Sequence, residues 1–346
     1  MGICPRAVAP IFSLRFTGFN MESLIFAFGA VAPIIFTVAL GYFLKKIGLL
    51  PLSLTKPINK LVFRVLLPCM LFLNVYNIGD FSSIDARYII YAVVAVIVIF
   101  VLALPITLLV TKDNSMRGPM LQCSFRSNYA LIGIPLAEAL FGNEGIAVAT
   151  LLSAVAIPLF NILAVVSLTV FGNGDGKASF KKVLLGIVKN PLIVGIAAGL
   201  LVLGVRTIFV NYDISFRLSD ITPVYTVLDY LSRCATPLAL LTLGIQFEFS
   251  TVAELKREII LGTVGRLVLV PVLFISIAYI FFDFRGEHFA AFVALYATPV
   301  AVSSVPMAQE MNADVRLAGQ LVAWNTLFSG VTIFLYAFIL KLLGVF

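Results

Sequence analysis

Long apolar runs separated by short polar stretches repeat along the whole chain. They lie near 21–44, 58–75, 88–110, 120–141, 146–171, 183–205, 223–247, 259–282, 289–309 and 317–343. Each approaches or exceeds the roughly 20 residues that a helix needs to cross a bilayer. Runs such as "YIIYAVVAVIVIFVLALPITLLV" are continuously apolar. A transmembrane barrel strand would instead alternate over about 10 residues. The pattern therefore predicts an all-α integral membrane protein with ten transmembrane helices. The connections are short, the longest including "GNGDGKASFKK" at 172–182, so one compact bundle is expected. Residues 1–20 read as an extension outside the fold, because their apolar stretch is interrupted by Pro10 and Arg15. Met21 is the expected natural start.

Composition agrees: 61% of residues are hydrophobic, 12% are charged, and the mean hydropathy is +1.08. The net charge of +7 comes mostly from one set of connections. If the first span starts outside, the inner side holds Lys45, Lys46, Lys56, Lys60, Lys112, Arg117, Lys177, Lys181, Lys182, Lys189, Lys256, Arg257 and Arg316. The outer side holds Arg6, Arg15, Arg87, Arg206, Arg217, Arg285 and Lys341. Positive residues favour the cytoplasmic side, so both termini are expected outside. This bias accounts for the charge, and no nucleic-acid partner is expected; the lipid bilayer is the surrounding. Cys4, Cys69, Cys123 and Cys234 lack ligand or pairing spacing and read as free thiols. No metal or cofactor is expected. With His288 as the only histidine and no hydrolase motif, an enzyme is not expected either.

The two halves resemble each other. "RVLLPCMLFLN" at Arg64–Asn74 matches "RCATPLALLTL" at Arg233–Leu243, and Pro68 and Pro237 set the offset at 169 residues. The same offset carries "GNEG" at Gly142–Gly145 onto "MNAD" at Met311–Asp314, and Asn128 onto Ala297. Five spans separate equivalent helices, and five is odd. The second copy thus enters the membrane from the opposite face, giving two inverted five-helix repeats, 21–171 and 183–346, joined by 172–182. Such repeats underlie alternating access around a site near the midplane.

Both halves also interrupt a helix at the same place. In "RSNYALIGIPLAEALFG", Pro135 removes a backbone donor and is expected to leave the Leu131 carbonyl without its helical partner, while Gly133 weakens the same turn. In "ATPVAVSSVPMAQEM", Pro299 and Pro306 flank Ser303 and Ser304. The fourth and ninth helices are therefore expected to be broken and to cross. Irregular backbone at that depth must line a cavity or be buried in protein, and freed N–H groups with half-helix dipoles suit an anion. The candidate substrate-binding set is Arg126, Asn128, Tyr129, Gly133 and Pro135 from the fourth span, with Thr298, Pro299, Ser303, Ser304 and Pro306 from the ninth.

Other intramembrane charges are weighed beside it. Arg266 lies seven residues into the eighth span. Arg64 and Arg233 are repeat mates expected to snorkel to an interface, and Glu138 and Glu310 are expected at solvated helix ends.

"SNYALIGIPLAEALFG" is similar to the Asn-x-x-x-x-Gly-x-Pro crossover motif of the auxin efflux carrier family, which includes plant PIN auxin exporters and many bacterial permeases. The match falls on Asn128, Gly133 and Pro135. "ESLIFAFGAVAPIIFTVALGYFLKKIGLL" resembles the family's first helix, Asn190 and Pro191 its sixth, and "VPMAQEMNAD" its ninth. The resemblance covers Met21 to Phe346, the bacterial sort being nearer. It implies a scaffold domain and a transport domain, and a small organic anion such as malate or malonate, or an auxin-like acid. A bacterial inner membrane location goes with it, and a homodimer is left open. One departure stands: Ala297 occupies the place of the second crossover Asn. A sodium- or proton-coupled symporter or antiporter of the same general fold, or a transporter-like ligand sensor, is the alternative reading.

Overall fold

The computed structural model describes residues 21–77, 86–172, 185 and 188–345. The N-terminal extension 1–20 and residues 173–182 of the connection lie outside the described residues. Helix runs in chain order through α1 (Met21–Lys46), α2 (Thr55–Leu61), α3 (Leu67–Tyr76), α4 (Ala86–Val110), α5 (Asn114–Phe125), α6 (Ile134–Phe171) and α7 (Pro191–Asn211). It continues through α8 (Thr222–Gln246), α9 (Phe249–Glu254), α10 (Lys256–Val264), α11 (Val270–Ile280), α12 (Glu287–Tyr296), α13 (Ser304–Glu310) and α14 (Val315–Leu342). No strand is formed among the described residues beyond one isolated bridge. Among the described residues, six helical stretches are long and apolar enough to cross a membrane: Leu52–Tyr76, Ala86–Val110, Tyr129–Phe171, Pro191–Asn211, Lys256–Ile280 and Val315–Leu340.

Two of these stretches are joined by widened turns, Val62–Leu66 between α2 and α3 and Gly265–Leu269 between α10 and α11. Single π turns of this kind are frequent at functional places in helices. The loop expected after Phe141 shrinks to a kink, with Phe141 at φ −137° and Gly142 at φ +59°. Glycine adopts that left-handed angle without a Cβ clash. α7 starts at Pro191, where Asn190 caps it by accepting the Leu192 N–H at 2.9 Å; residues 183, 184, 186 and 187 of the sixth apolar run lie outside the described residues.

The helices pack in two groups. In the first, α1 lies along α8, and α3 lies along both α7 and α8. Gly195 and Gly199 face α3 so closely that a Cβ at Gly195 would meet the Pro68 carbonyl at 2.6 Å. Small residues four apart let transmembrane helices reach backbone contact, which here fixes α3 against α7. In the second group, α6 packs on α5 and α12, while α14 packs on α10 and α13. The two groups meet where α1 runs along α14 and where α2 touches α13.

Candidate crossover site

The chain opens between α5 and α6 and again between α12 and α13, and the two openings lie against each other. α5 ends at Phe125 because Arg126 turns to extended angles, φ −87° and ψ 116°. Ser127 then pairs antiparallel with Val300, and the Asn128 N–H donates to the Pro299 carbonyl at 2.8 Å. The Ser127 and Thr298 hydroxyls hydrogen-bond across the same junction, and Thr298 Oγ1 donates to the Ala294 carbonyl at 2.8 Å. Two interrupted helices thus satisfy each other's backbone where water is scarce, as buried polar groups require.

The interruption sits earlier than Pro135 suggests. The chain re-enters helix through a π turn at Tyr129–Gly133, in which the Asn128 carbonyl accepts from Ile132 and Gly133 at 3.0 and 3.3 Å. Pro135 falls in the first turn of α6, and Pro306 in the first turn of α13. A first-turn residue has no intrahelical acceptor for its N–H, so Pro306 costs little. Pro135 instead directly follows the π turn, the half-helix starts at Tyr129, and Arg126–Asn128 makes the break.

Arg266 supports the crossing from behind. It is fully buried and donates from Nε to the Thr298 carbonyl at 2.9 Å, from Nη2 to Leu295 at 3.0 Å, and from Nη1 to Ser124 at 3.4 Å. These carbonyls belong to the C-terminal ends of α5 and α12 or directly follow them. Helix C-termini leave unsatisfied carbonyls with partial negative charge, which a cation complements. Arg266 therefore acts as a shared C-cap. The intramembrane charge weighed in the sequence is committed to backbone.

Arg126 faces the other way, into a cavity of about 60 Å³. Its side chain is buried, and Nη1 donates to Gln122 Oε1 at 2.9 Å and to Met307 Sδ at 2.6 Å. Nη2 donates to Asn161 Oδ1 and Ser303 Oγ, both at 2.8 Å. All four acceptors are neutral, and no carboxylate pairs with Arg126 among the described residues. Donors outnumber acceptors around it, since Asn128 Nδ2 and Gln122 Nε2 are buried without a partner there.

The chain matches the family described as "Membrane transport protein" over residues 26–173 and 176–337. It belongs to this auxin efflux carrier-type family. Two relatives agree over nearly full length. An uncharacterized transporter of Methanothermobacter thermautotrophicus is 24% identical over 325 residues, covering 90% of this chain and 97% of that protein. One of Methanocaldococcus jannaschii is 25% identical over 319 residues, covering 89% and 96%. The chain is accordingly a multi-pass membrane transporter and not an enzyme, and the resemblance read from the crossover motif holds.

Within this member of the membrane transport protein family, the residues singled out by sequence separate into two sets. Arg126, Asn128, Tyr129 and Ser303 line the cavity together. Gly133, Pro135, Thr298, Pro299, Ser304 and Pro306 do not line it. Thr298 and Pro299 build the junction, Pro135 directly follows the π turn, Pro306 falls in the first turn of α13, and Ser304 is buried with its hydroxyl unpartnered among the described residues. Gly133 lets α6 approach α12, since a Cβ there would stand 3.0 Å from the Ala294 carbonyl. Sequence reading missed Asn161 and Gln122, which hold Arg126, and Asn74 and Thr236, which line the opposite wall. Asn161 carried a usable signal: it is the one amide inside "IPLFNILAVV", and polar groups in apolar spans are costly enough to be functional by default.

The remaining charges lie away from the cavity. Glu138 is exposed, as expected of a helix end. Arg233 is 77% exposed and pairs with Asp229 at 2.8 Å. Arg64 is 61% exposed but reaches Glu310, itself only 10% exposed, at 3.3 Å. That ion pair joins the α2–α3 stretch to α13.

Proposed function

We propose that the chain is a secondary transporter that moves a small organic carboxylate by alternating access around the crossover. One observation carries this reading. Arg126 places a buried guanidinium at a cavity, held by neutral groups, with Asn128 Nδ2 left over beside it. Burying an uncompensated cation is costly, and a carboxylate ligand supplies the missing charge.

Two inverted five-helix repeats accompany this reading. Element bounds support them at the offset of 169 residues between Pro68 and Pro237: α4 (Ala86–Val110) answers to 255–279, near α10–α11 (Lys256–Ile280), and the first half of α6 to α13. The group of α1, α3, α7 and α8 then serves as scaffold, and the group holding the crossover is the moving part. Hydrogen bonds support the sidedness read from charge. Residues assigned inside contact one another, as in Lys45–Glu248 and Arg316–Glu254. Residues assigned outside do likewise, as in Arg206 Nη1 to the Tyr76 carbonyl at 2.7 Å. Both termini are then outside a cytoplasmic membrane, in a bacterial cell its inner membrane.

The test is flux in proteoliposomes. Radiolabelled carboxylates from a small panel should exchange across the membrane with wild-type protein and fail to do so with Arg126→Gln. Equal flux in both would sink the reading.

A further inference from the structure

The cavity is charged at one end only, among the described residues. Arg126 is the single charged residue lining it, and Asn128, Asn161 and Ser303 cluster on the same side. The facing wall comes from α3 and α8 and is built mainly of Leu67, Met70, Leu71, Ala235 and Ala239, with neutral Asn74 and Thr236 as its polar members. Among the described residues, no second cation stands where a second carboxylate would lie.

Donor accounting at Arg126 narrows the ligand further. A guanidinium has five N–H groups, and four are directed at Gln122, Met307, Asn161 and Ser303. The four bonds use only Nη1 and Nη2, which leaves the Nε–H, together with the buried, unpartnered Asn128 Nδ2, for one carboxylate. Met307 sulfur is a weak acceptor that a carboxylate oxygen can replace. The ligand's other end then meets a mainly apolar, uncharged wall, where a second ionised carboxylate would be desolvated without a countercharge. Such a charge is strongly disfavoured.

Resting on the carboxylate reading above, we propose that the site selects a monocarboxylate and rejects dicarboxylates. One cation facing an uncharged, mainly apolar wall carries this specificity, in contrast to the malate or malonate that family resemblance implies.

Calorimetric titration of the purified full-length protein in detergent tests it, with propionate, butyrate, malonate, malate and indole acetate as probes. Propionate and butyrate should bind saturably, and malonate should bind about a hundredfold more weakly or not at all. Asn128→Ala and Arg126→Gln should each weaken butyrate binding by about tenfold or more. Met70→Lys, which adds a cation to the apolar wall, should narrow the gap between butyrate and malonate. Malonate binding as tightly as butyrate, and losing affinity in Arg126→Gln, overturns the specificity while leaving the site in place. Binding of either acid that neither Arg126→Gln nor Asn128→Ala alters overturns the site itself. Should Met70→Lys fail to fold, the wild-type ranking of butyrate against malonate still decides the proposal.

Discussion

The Asn128 amide donates to the Pro299 carbonyl at 2.8 Å, so one residue serves the crossing with its backbone and leaves its side chain for another task. The two roles are separable by mutation. Asn128→Ala keeps the backbone bond and removes Nδ2, which is buried without a partner among the described residues. An unsatisfied buried donor costs about 1–3 kcal/mol. The unliganded variant should therefore melt at or slightly above the wild-type temperature, while transport falls strongly. A variant that melts well below wild type would mean that the side chain holds the fold.

Arg126 should tolerate neither neutralisation nor exchange for lysine. Its planar fork engages Gln122, Asn161 and Ser303 together, and an ammonium cannot reproduce that arrangement. Arg126→Lys is expected to lose about tenfold or more in uptake rate while keeping the charge. Initial-rate measurements in proteoliposomes, normalised to inserted protein, check it; full activity in the lysine variant would show that charge alone suffices.

At Arg266 the expected loss is in stability. Arg266→Met leaves the Thr298 and Leu295 carbonyls without their side-chain donor. Each orphaned buried group costs about 1–3 kcal/mol. The melting temperature in detergent should drop clearly, and Arg266→Lys should recover part of it. An unchanged melting profile in Arg266→Met would remove the C-cap role.

The Arg64–Glu310 pair should act as a weak latch between α2–α3 and α13. With Arg64 61% exposed, the pair is screened and worth at most about 1 kcal/mol. In a background lacking the native cysteines, Met70→Cys reports access to the cavity. Glu310→Gln should raise its labelling rate from the Lys-rich side by up to about fivefold. The swap of Arg64→Glu with Glu310→Arg should bring it back. Labelling that ignores both changes would rule out the latch.

Helical class, six of the ten expected apolar spans and the two interrupted helices were legible in the sequence, because a bilayer forces long apolar runs and makes a Gly–Pro break conspicuous. The place of the first break was misjudged by several residues. Pro135 looks like the breaker, but helix already resumes at Tyr129 through a π turn and the extended backbone lies at Arg126–Asn128. Half of the cavity was readable for a related reason: Arg126, Asn128 and Ser303 lie beside conspicuous prolines. Asn161, Asn74 and Thr236 come from other helices, and only packing brings them near. Arg266 shows the limit most plainly. Nothing in "TVGRLVLV" tells whether the guanidinium meets a ligand or three carbonyls.

The junction of Ser127 with Thr298 joins residues 171 positions apart, which bears on how the protein is made. At about 5–20 residues per second, synthesis leaves the first half waiting about ten to thirty seconds for its counterpart. During that interval the extended backbone at Arg126–Asn128 has no Pro299 carbonyl to meet, and bare peptide groups are not tolerated in lipid. The newborn first half must therefore occupy another arrangement, either a temporarily continuous helix through 126–128 or a segment kept beside water at the insertion machinery. Assembly of the crossover is then a late event, and truncation anywhere before residue 298 should leave a membrane-inserted chain that quality control can recognise by its unfinished backbone.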